Sequence, residues 1–454
     1  MTSFWVARAV LPTGIADGVR ITADDGRITR IETGQAPEPA ETTTAGVALP
    51  GLVTAHSHAF HRALRGRTHD GGGSFWTWRE RMYRASRALT PDGYYALASG
   101  LFSEMLLAGY TAVGEFHYVH HRPGGASYTD PNAMSAALVA AATDVGIRLT
   151  LLDTFYRWGG LADDGSRLPL SPDQARFADG SVEAWASRHE AVPTSRLARS
   201  GMAAHSLRAV DAADIAAMRR AFPDQVLHAH VSEQPAENRQ VAAATGSTPI
   251  AALDEAEVLD RAFTAVHATH LTDDDVARLG RAGAFACFCP TTERDLADGV
   301  GPGRALLAAG AHLCLGSDQN AVVDPFEEAR GLELDERLVT GRRGVFSPAA
   351  LLTAASSSGY ESLGWAGGGV LAVGAPCDFV VVDDASPRTA GSETGQLWLT
   401  ATAADVTDVV VDGVRVVAER VLASGRRTSA AVGRELVAAI AGLDAAGQDG
   451  FRAL

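Results

Sequence analysis

The sequence predicts an α/β protein: a (β/α)8 barrel of the TIM type, with a small β-sandwich domain assembled from both chain ends. Three observations carry this. Eight apolar runs, at 52–58, 111–119, 148–157, 201–210, 226–233, 264–272, 284–291 and 312–320, alternate with amphipathic, Ala-rich stretches such as 94–108 and 211–221. That is the pattern of β-then-α units closing into a parallel barrel. The first 47 residues read differently, as short strands with a turn signal at Ala23-Asp24-Asp25-Gly26. A matching β-rich segment returns around 370–373, 378–382 and 406–417, with a second turn at Val411-Asp412-Gly413. The expected boundaries are therefore 1–47 and 369–425 for the two parts of the sandwich and 48–368 for the barrel. A tail, 426–454, holds one helical stretch at 431–443. No fixed repeat of about 20–50 residues runs through the chain, which argues against a solenoid.

Length and composition agree. The 454 residues hold a barrel of ~250 residues and an accessory domain. Basic residues number 39 against 54 acidic, a formal charge of −15. A nucleic acid or an anionic membrane would need a basic footprint, so neither is an expected partner. The chain contains no lysine, so all its basic residues other than histidine are arginines. Schiff-base chemistry, a GK[ST] phosphate loop and any metal pair bridged by a modified lysine are thereby excluded. The four cysteines, Cys287, Cys289, Cys314 and Cys377, are too few for a disulfide framework and suit a reducing compartment. The N-terminus lacks a basic start followed by an apolar run, and no stretch reaches ~18 uninterrupted apolar residues. A cytoplasmic location is expected.

Barrel active sites form at the C-terminal ends of the strands. The first expected strand ends in His56-Ser57-His58, the fifth in His230-Val231-Ser232-Glu233, the sixth carries His267, and the eighth ends in Gly316-Ser317-Asp318. A lone His-x-His is often incidental, and a lone strand histidine is usually a hydrogen-bonded core residue. Four such features in order, each at a strand end, are hard to obtain by accident. Residues i and i+2 of a strand face one side, so His56 and His58 both project into the mouth. His230 and Asp318 complete three imidazoles and one carboxylate. This donor set expects one divalent metal per chain, with Zn2+ the first choice and Fe2+ or Mn2+ also compatible.

These residues also carry a resemblance. The run from Leu49-Pro50-Gly51 to His56-Ser57-His58, with Gly374-Ala375-Pro376-Cys377-Asp378 late in the chain, resembles the amidohydrolase superfamily. His230 and Glu233 at HxxE spacing, plus His267, are similar to its mononuclear deaminase branch. Ser74 to Glu80, Glu115 to His121, His205-Ser206-Leu207-Arg208 and His267 to Thr272 resemble the formimidoylglutamate deiminases. The resemblance spans essentially the whole chain. It implies hydrolysis of an N-formimidoyl amino acid to its N-formyl form with release of ammonia, in histidine degradation, and a homodimer. One departure is His61, where that family's pattern leads us to expect glutamine.

Roles follow for a metal-activated hydrolysis. Asp318 beside the attacking water takes its proton, Glu233 protonates the substrate nitrogen, and His267 stabilises the developing tetrahedral centre. A small-molecule substrate with carboxylates needs a local positive site in so acidic a protein. Arg208 and then Arg79 are the expected clamps, with Tyr118, His205 and His61 as further donors. Trp76 and Trp78 are expected to shield Arg79. Other clusters read as structural: Cys287 and Cys289 as buried packing, His117, His120 and His121 as a polar loop, and Asp273 to Asp275 as an acidic helix start. The segment from His69 to Gly73 reads equally as a substrate cover or a mobile surface loop. Two other readings keep the barrel: a deaminase of a purine- or pterin-like ring, and a catalytically silent metal-binding scaffold.

Overall fold

The computed structural model describes residues 1–69 and 75–452, without the side chains of 75–77 and 447–452. Asp70 to Gly73 of the glycine-rich segment, and the Trp76 side chain, lie outside the described residues. Eight parallel strands follow one another round a barrel: β1 (Leu52–Ser57), β2 (Tyr110–His117), β3 (Arg148–Phe155), β4 (Ala198–Ser206), β5 (Leu227–Val231), β6 (Phe263–His267), β7 (Phe285–Phe288) and β8 (His312–Leu315). Each pairs with the next in chain order. A parallel bridge between Ser57 and Asp318 joins the last strand's end to the first.

The strands stop short of the apolar runs that predict them. β1 ends at Ser57, β5 at Val231 and β8 at Leu315, so His58, Glu233 and Asp318 lie in the turns just beyond. The apolar character continues because these turns are buried under the barrel mouth, where side chains pack without a strand ladder. Local signals fix the intervening helices. Thr90 caps Pro91–Ala108 by accepting from the Gly93 amide, and Gly109 ends that helix at φ +105°. Thr272 and Asp275 form a reciprocal capping box on Asp273–Ala282, which is the expected acidic start.

The chain ends form one nine-stranded sheet. Thr42–Pro50 lies at its centre, parallel to Thr2–Leu11 and antiparallel to Phe379–Val382. Both expected hairpin turns are present, with Asp25-Gly26 and Asp412-Gly413 at positive φ, the geometry that matches strand twist. The segment 370–373 is not a strand, although Leu371 is buried. Alternation along the central strands divides their side chains between two cores. Ala48, Phe379, Val381 and Val410 pack with Phe4, Val6 and Ile21 in a small core of the sheet's own. Val47, Leu49, Val380, Val382, Val409 and Val411 join the main core against the barrel. The tail helix, Ser429–Arg452, is longer than the expected stretch.

A buried ion pair fastens the two units. Arg148 at the start of β3 donates through Nε and Nη2 to Asp378, at 2.5 and 3.1 Å, and through Nη2 to Asp412 at 2.9 Å. Tyr360 donates to the same Asp378 carboxylate at 2.7 Å. Asp378→Ala leaves a buried guanidinium short of its main partner, for which we expect a loss of about 3–5 kcal/mol. Denaturant titration checks it, and wild-type stability would remove this pair as the joint.

Candidate metal centre and active site

The strand-end residues meet in one buried cluster. His56 Nε2 lies 3.2 Å from His230 Nε2 and 3.3 Å from Asp318 Oδ1, and His58 Nε2 lies 3.4 Å from the same oxygen. Four donors at ~2.0–2.1 Å from a tetrahedral ion would stand ~3.3 Å apart, so the set fits an ion at its centre. In two of the three imidazoles the other ring nitrogen is used elsewhere: His58 Nδ1 donates to the Phe116 carbonyl at 2.9 Å, and His230 Nδ1 to the His205 carbonyl at 2.8 Å. Those bonds fix the tautomers of His58 and His230 and leave their Nε2 lone pairs facing the centre.

Electrostatics point the same way. Burial, reinforced by the neighbouring imidazoles, holds His56 and His230 well below the usual histidine range. Burial likewise lowers His58 to about 3, so all three are neutral donors. Burial, helped by nearby Glu233 and Glu293, raises Asp318 to about 7 against the pull of His267. Neutral imidazoles crowded round a desolvated carboxylate call for a cation between them.

His267 differs from its neighbours. Burial lowers its pKa, but the carboxylates of Glu233, Asp318 and Glu293 outweigh that and raise it to about 10. Its Nε2 stands 3.9 Å from both Glu233 Oε1 and Asp318 Oδ2, and its Nδ1 stands 3.4 Å from Glu293 Oε1. The backbone supports this at a cost, since Ser232, His267, Ala268 and Asp318 all have positive φ.

The expected substrate residues line the same mouth. His61 Nε2 and the Tyr118 hydroxyl are hydrogen-bonded at 3.0 Å, and the His61 ring packs 4.5 Å from His58. The His205 ring lies 5.5 Å from Tyr118 and 5.2 Å from His230. Arg208 Nη2 donates to Glu233 Oε2 at 3.1 Å, and its Nε stands 3.8 Å from Glu237. Its partners are thus site carboxylates rather than surface ones. Although burial opposes it, the charges of His267 and Arg208 hold Glu233 below its ordinary carboxyl range. Arg79 donates to Tyr83, one helical turn on, at 2.9 and 3.1 Å. Its charge depresses the His205 imidazole, behind the larger effects of burial and Arg208. Trp78 donates to Gln319 at 2.9 Å.

His120 and His121 lie in the polar loop after β2, as expected, whereas His117 closes the strand itself; all three are buried. The Phe116 ring faces inward against His56 and His230, which turns His117 to the opposite side of β2. There His120 and His121 join a network in which Arg188 bridges Asp153 at 2.6 Å and Asp179 at 2.8 Å. Cys287 and Cys289 are buried, as expected. Four residues of the site were not singled out in the sequence. Tyr156, just past β3, packs 4.8 Å from the His205 ring, and the strand-end rule alone points to it. Glu237, four residues after Glu233, accepts from the Ser232 and Glu233 amides. Glu115 accepts from the Ala59 amide at 2.6 Å, securing the turn after His58. Glu293 had no sequence signal, because its helix belongs to an unremarkable loop after β7.

Comparison with known proteins follows this geometry. Residues 47–416 match the family model described as "Amidohydrolase family". The chain belongs to the amidohydrolase family. Residues 1–45 match a second model, "Formimidoylglutamate deiminase HutF, N-terminal domain". A formimidoylglutamate deiminase of Pseudomonas aeruginosa is 38% identical over 91% of this chain and 94% of its own. A 5-methylthioadenosine/S-adenosylhomocysteine deaminase of Haloquadratum walsbyi is 27% identical over 88% of each chain. Among solved structures, an amidohydrolase from Brucella melitensis superposes with TM-score 0.89 at 33% identity, covering 98% of this chain and 100% of its own. An adenosine deaminase from Xanthomonas campestris with bound zinc gives 0.81 at 22%, covering 98% of each, and shares the fold. Amidohydrolases are metal-dependent, in keeping with the donor cluster. Among the described residues no helix is long and apolar enough to cross a membrane.

Glu115 gives a pH test of the site's scaffold. Burial raises it to about 8, despite the donors around it. Folded chains thus keep this proton between ~4.3, the unfolded value, and about 8. The stability it contributes is full below that window and is lost as pH rises through it. Glu115→Gln cannot titrate, so its melting temperature should fall less between pH 5 and 8 than the wild type's. Parallel curves would show that Glu115 does not hold the proton.

Proposed function

We propose that the chain hydrolyses N-formimidoyl-L-glutamate to N-formyl-L-glutamate and ammonia, as a step of histidine degradation. The observation that carries the reading is the pairing of a three-imidazole, one-carboxylate centre with Arg208 beside Glu233. The 38% identical deiminase and the match of residues 1–45 support the same substrate. His56, His58, His230 and Asp318 would hold one divalent ion, with zinc the ion that best suits three nitrogen donors and one oxygen. When bound, such an ion lowers the pKa of water from about 15.7 towards ~7 and polarises the C=N bond.

The chain's own groups do the rest. Glu233, held as a carboxylate by Arg208 and His267, accepts a hydrogen bond from the amidine nitrogen. Water adds to the formimidoyl carbon. Of its two protons, one reaches the nitrogen through Glu233 and the other through Asp318, so the nitrogen leaves as ammonia and the oxygen stays as the formyl carbonyl. His267 presents its Nε2 between those two carboxylates, where a cationic imidazolium stabilises the oxyanion that builds up on the carbon. Arg208 reads the substrate's α-carboxylate, with Arg79, Tyr118, His205 and His61 on the same wall.

Ammonia release over a panel of formimidoylglutamate, adenosine-type rings and pterins tests the reaction. We expect turnover of the first only, with about one metal equivalent per chain. Turnover of a ring alone would replace this reading with the ring-deaminase one. Glu233→Gln should lower kcat about 10²-fold or more with the metal retained, and near-wild-type turnover would remove it from the reaction. For Arg208→Met we expect a roughly 30-fold or larger loss of kcat/KM. Because Arg208 also touches Glu233, the decisive readout is discrimination against a substrate amidated at its α-carboxylate. The wild type should discriminate strongly and the variant hardly at all; equal discrimination would move the clamp elsewhere.

A further inference from the structure

His267 is the one imidazole of the centre with carboxylates at both ring nitrogens. On the reacting side its Nε2 faces Glu233 and Asp318 at 3.9 Å each. On the far side Glu293, buried in the first turn of the helix Pro290–Leu296, brings Oε1 to 3.4 Å from Nδ1. The same oxygen accepts from the Cys289 amide at 2.9 Å. It is therefore pinned to the backbone at the end of β7 and is not free to follow the ring. His267 itself closes β6 at φ +68°, followed by Ala268 at +49°. Two consecutive left-handed residues other than glycine give the ring no standard strand or helix environment to set its direction. A fixed acceptor at Nδ1 sets it instead.

We infer that Glu293 is a positioning residue for the reaction: its Oε1 accepts the Nδ1–H of His267, so that Nε2 is turned into the gap between Glu233 and Asp318. This rests on the role of His267 proposed above. The carboxylate's hydrogen bonds go to the ring and to the Cys289 amide. Its charge also reaches Asp318, so a double-mutant cycle is what separates an effect through the ring from a direct one. Loss of the acceptor lets the imidazole rotate or shift, and an error of about 1 Å at a reacting centre costs up to about 10²-fold in rate.

A double-mutant cycle separates this from a merely structural role. Four proteins are compared as metal-loaded full-length enzymes: wild type, Glu293→Ala, His267→Asn and the double variant. Glu293→Ala should lower kcat at least 10-fold with KM and metal content near those of the wild type, while its melting temperature falls because the Cys289 amide loses its acceptor. Glu293→Gln, whose carbonyl oxygen can still accept from Nδ1, should recover part of that loss. In the His267→Asn background, removing Glu293 should cost nothing further in kcat. Multiplying losses would overturn the inference, because Glu293 would then act independently of the ring. An unchanged kcat in Glu293→Ala would overturn it as well. A His267→Asn protein with wild-type kcat would instead remove the role of His267 itself, a separate failure. Should the alanine variant not fold, Glu293→Asp, one methylene short of the ring, runs the same cycle with the same expectations.

Discussion

Closure of the barrel and assembly of the donor cluster are one set of hydrogen bonds. The His58 amide donates to the Asp318 carbonyl at 2.9 Å, while the Ser317 and Asp318 amides both donate to the His56 carbonyl at 3.0 Å. Strands β1 and β8 are separated by most of the chain, and parallel pairing over such a distance carries a large entropic cost. Here it is secured where it matters for chemistry. Asn320 reinforces the turn, donating to the Ser57 hydroxyl and to the carbonyls of His58 and Asp318 at 3.1–3.2 Å. Three of the four cluster residues are therefore placed by backbone, and only His230 depends on a separate strand.

Within that frame, environment rather than residue type assigns the roles. His56, His58, His230 and His267 are all buried imidazoles within one cluster. The first three have carbonyls, other imidazoles and, for His56 and His58, the single desolvated Asp318 carboxylate as neighbours, so desolvation prevails and they are neutral lone-pair donors. His267 alone has carboxylates on both sides and is held as a cation. The acids divide likewise: Glu233, beside Arg208 and His267, is lowered, whereas Glu115, with only an amide and hydroxyls, is raised. Divergent titration of chemically identical groups is what separates acid, base and ligand functions at one pH.

Much of this was legible in the sequence because it depends on short-range periodicity. Alternation of apolar runs with amphipathic stretches specified the barrel, and i, i+2 spacing put His56 and His58 on one side. Turn pairs with glycine marked both hairpins of the end sheet. What was misread depends on which face of a strand a residue occupies. His120 and His121 are in a polar loop, but His117 belongs to the strand: Phe116 faces inward, which sends His117 the other way, against the His120 ring beside a buried salt-bridge network. The segment 370–373 has strand composition but lacks a neighbour to pair with. Arg208 is identified by its place at a strand end, but its contact with Glu233 is not, because a residue pair 25 positions apart in the turns after different strands leaves no local signal.

The buried carboxylates Glu115, Glu237 and Glu293 share a physical task. Ser232, His267, Ala268, Asp318 and Asn320 hold positive φ where strands give way to turns, at a cost of order 1–3 kcal/mol each. Such turns persist only when something over-determines them. Glu237 does so for Ser232 after β5 by taking the Ser232 and Glu233 amides; past β7 and β1, where the backbone is not left-handed, Glu293 takes the Cys289 amide and Glu115 that of Ala59. Each is a buried carboxylate that satisfies backbone donors the strand ladder has abandoned. Buried acids are costly in isolation, and in this fold they are concentrated beneath the one place where cationic partners are required. The carboxylates Glu233, Glu293 and Asp318 around the mouth also create the demand for a metal ion, for Arg208 and for a protonated His267. Scaffold and chemistry meet most directly in Glu293, whose one oxygen holds the Cys289 amide at the end of β7 and faces Nδ1 of His267.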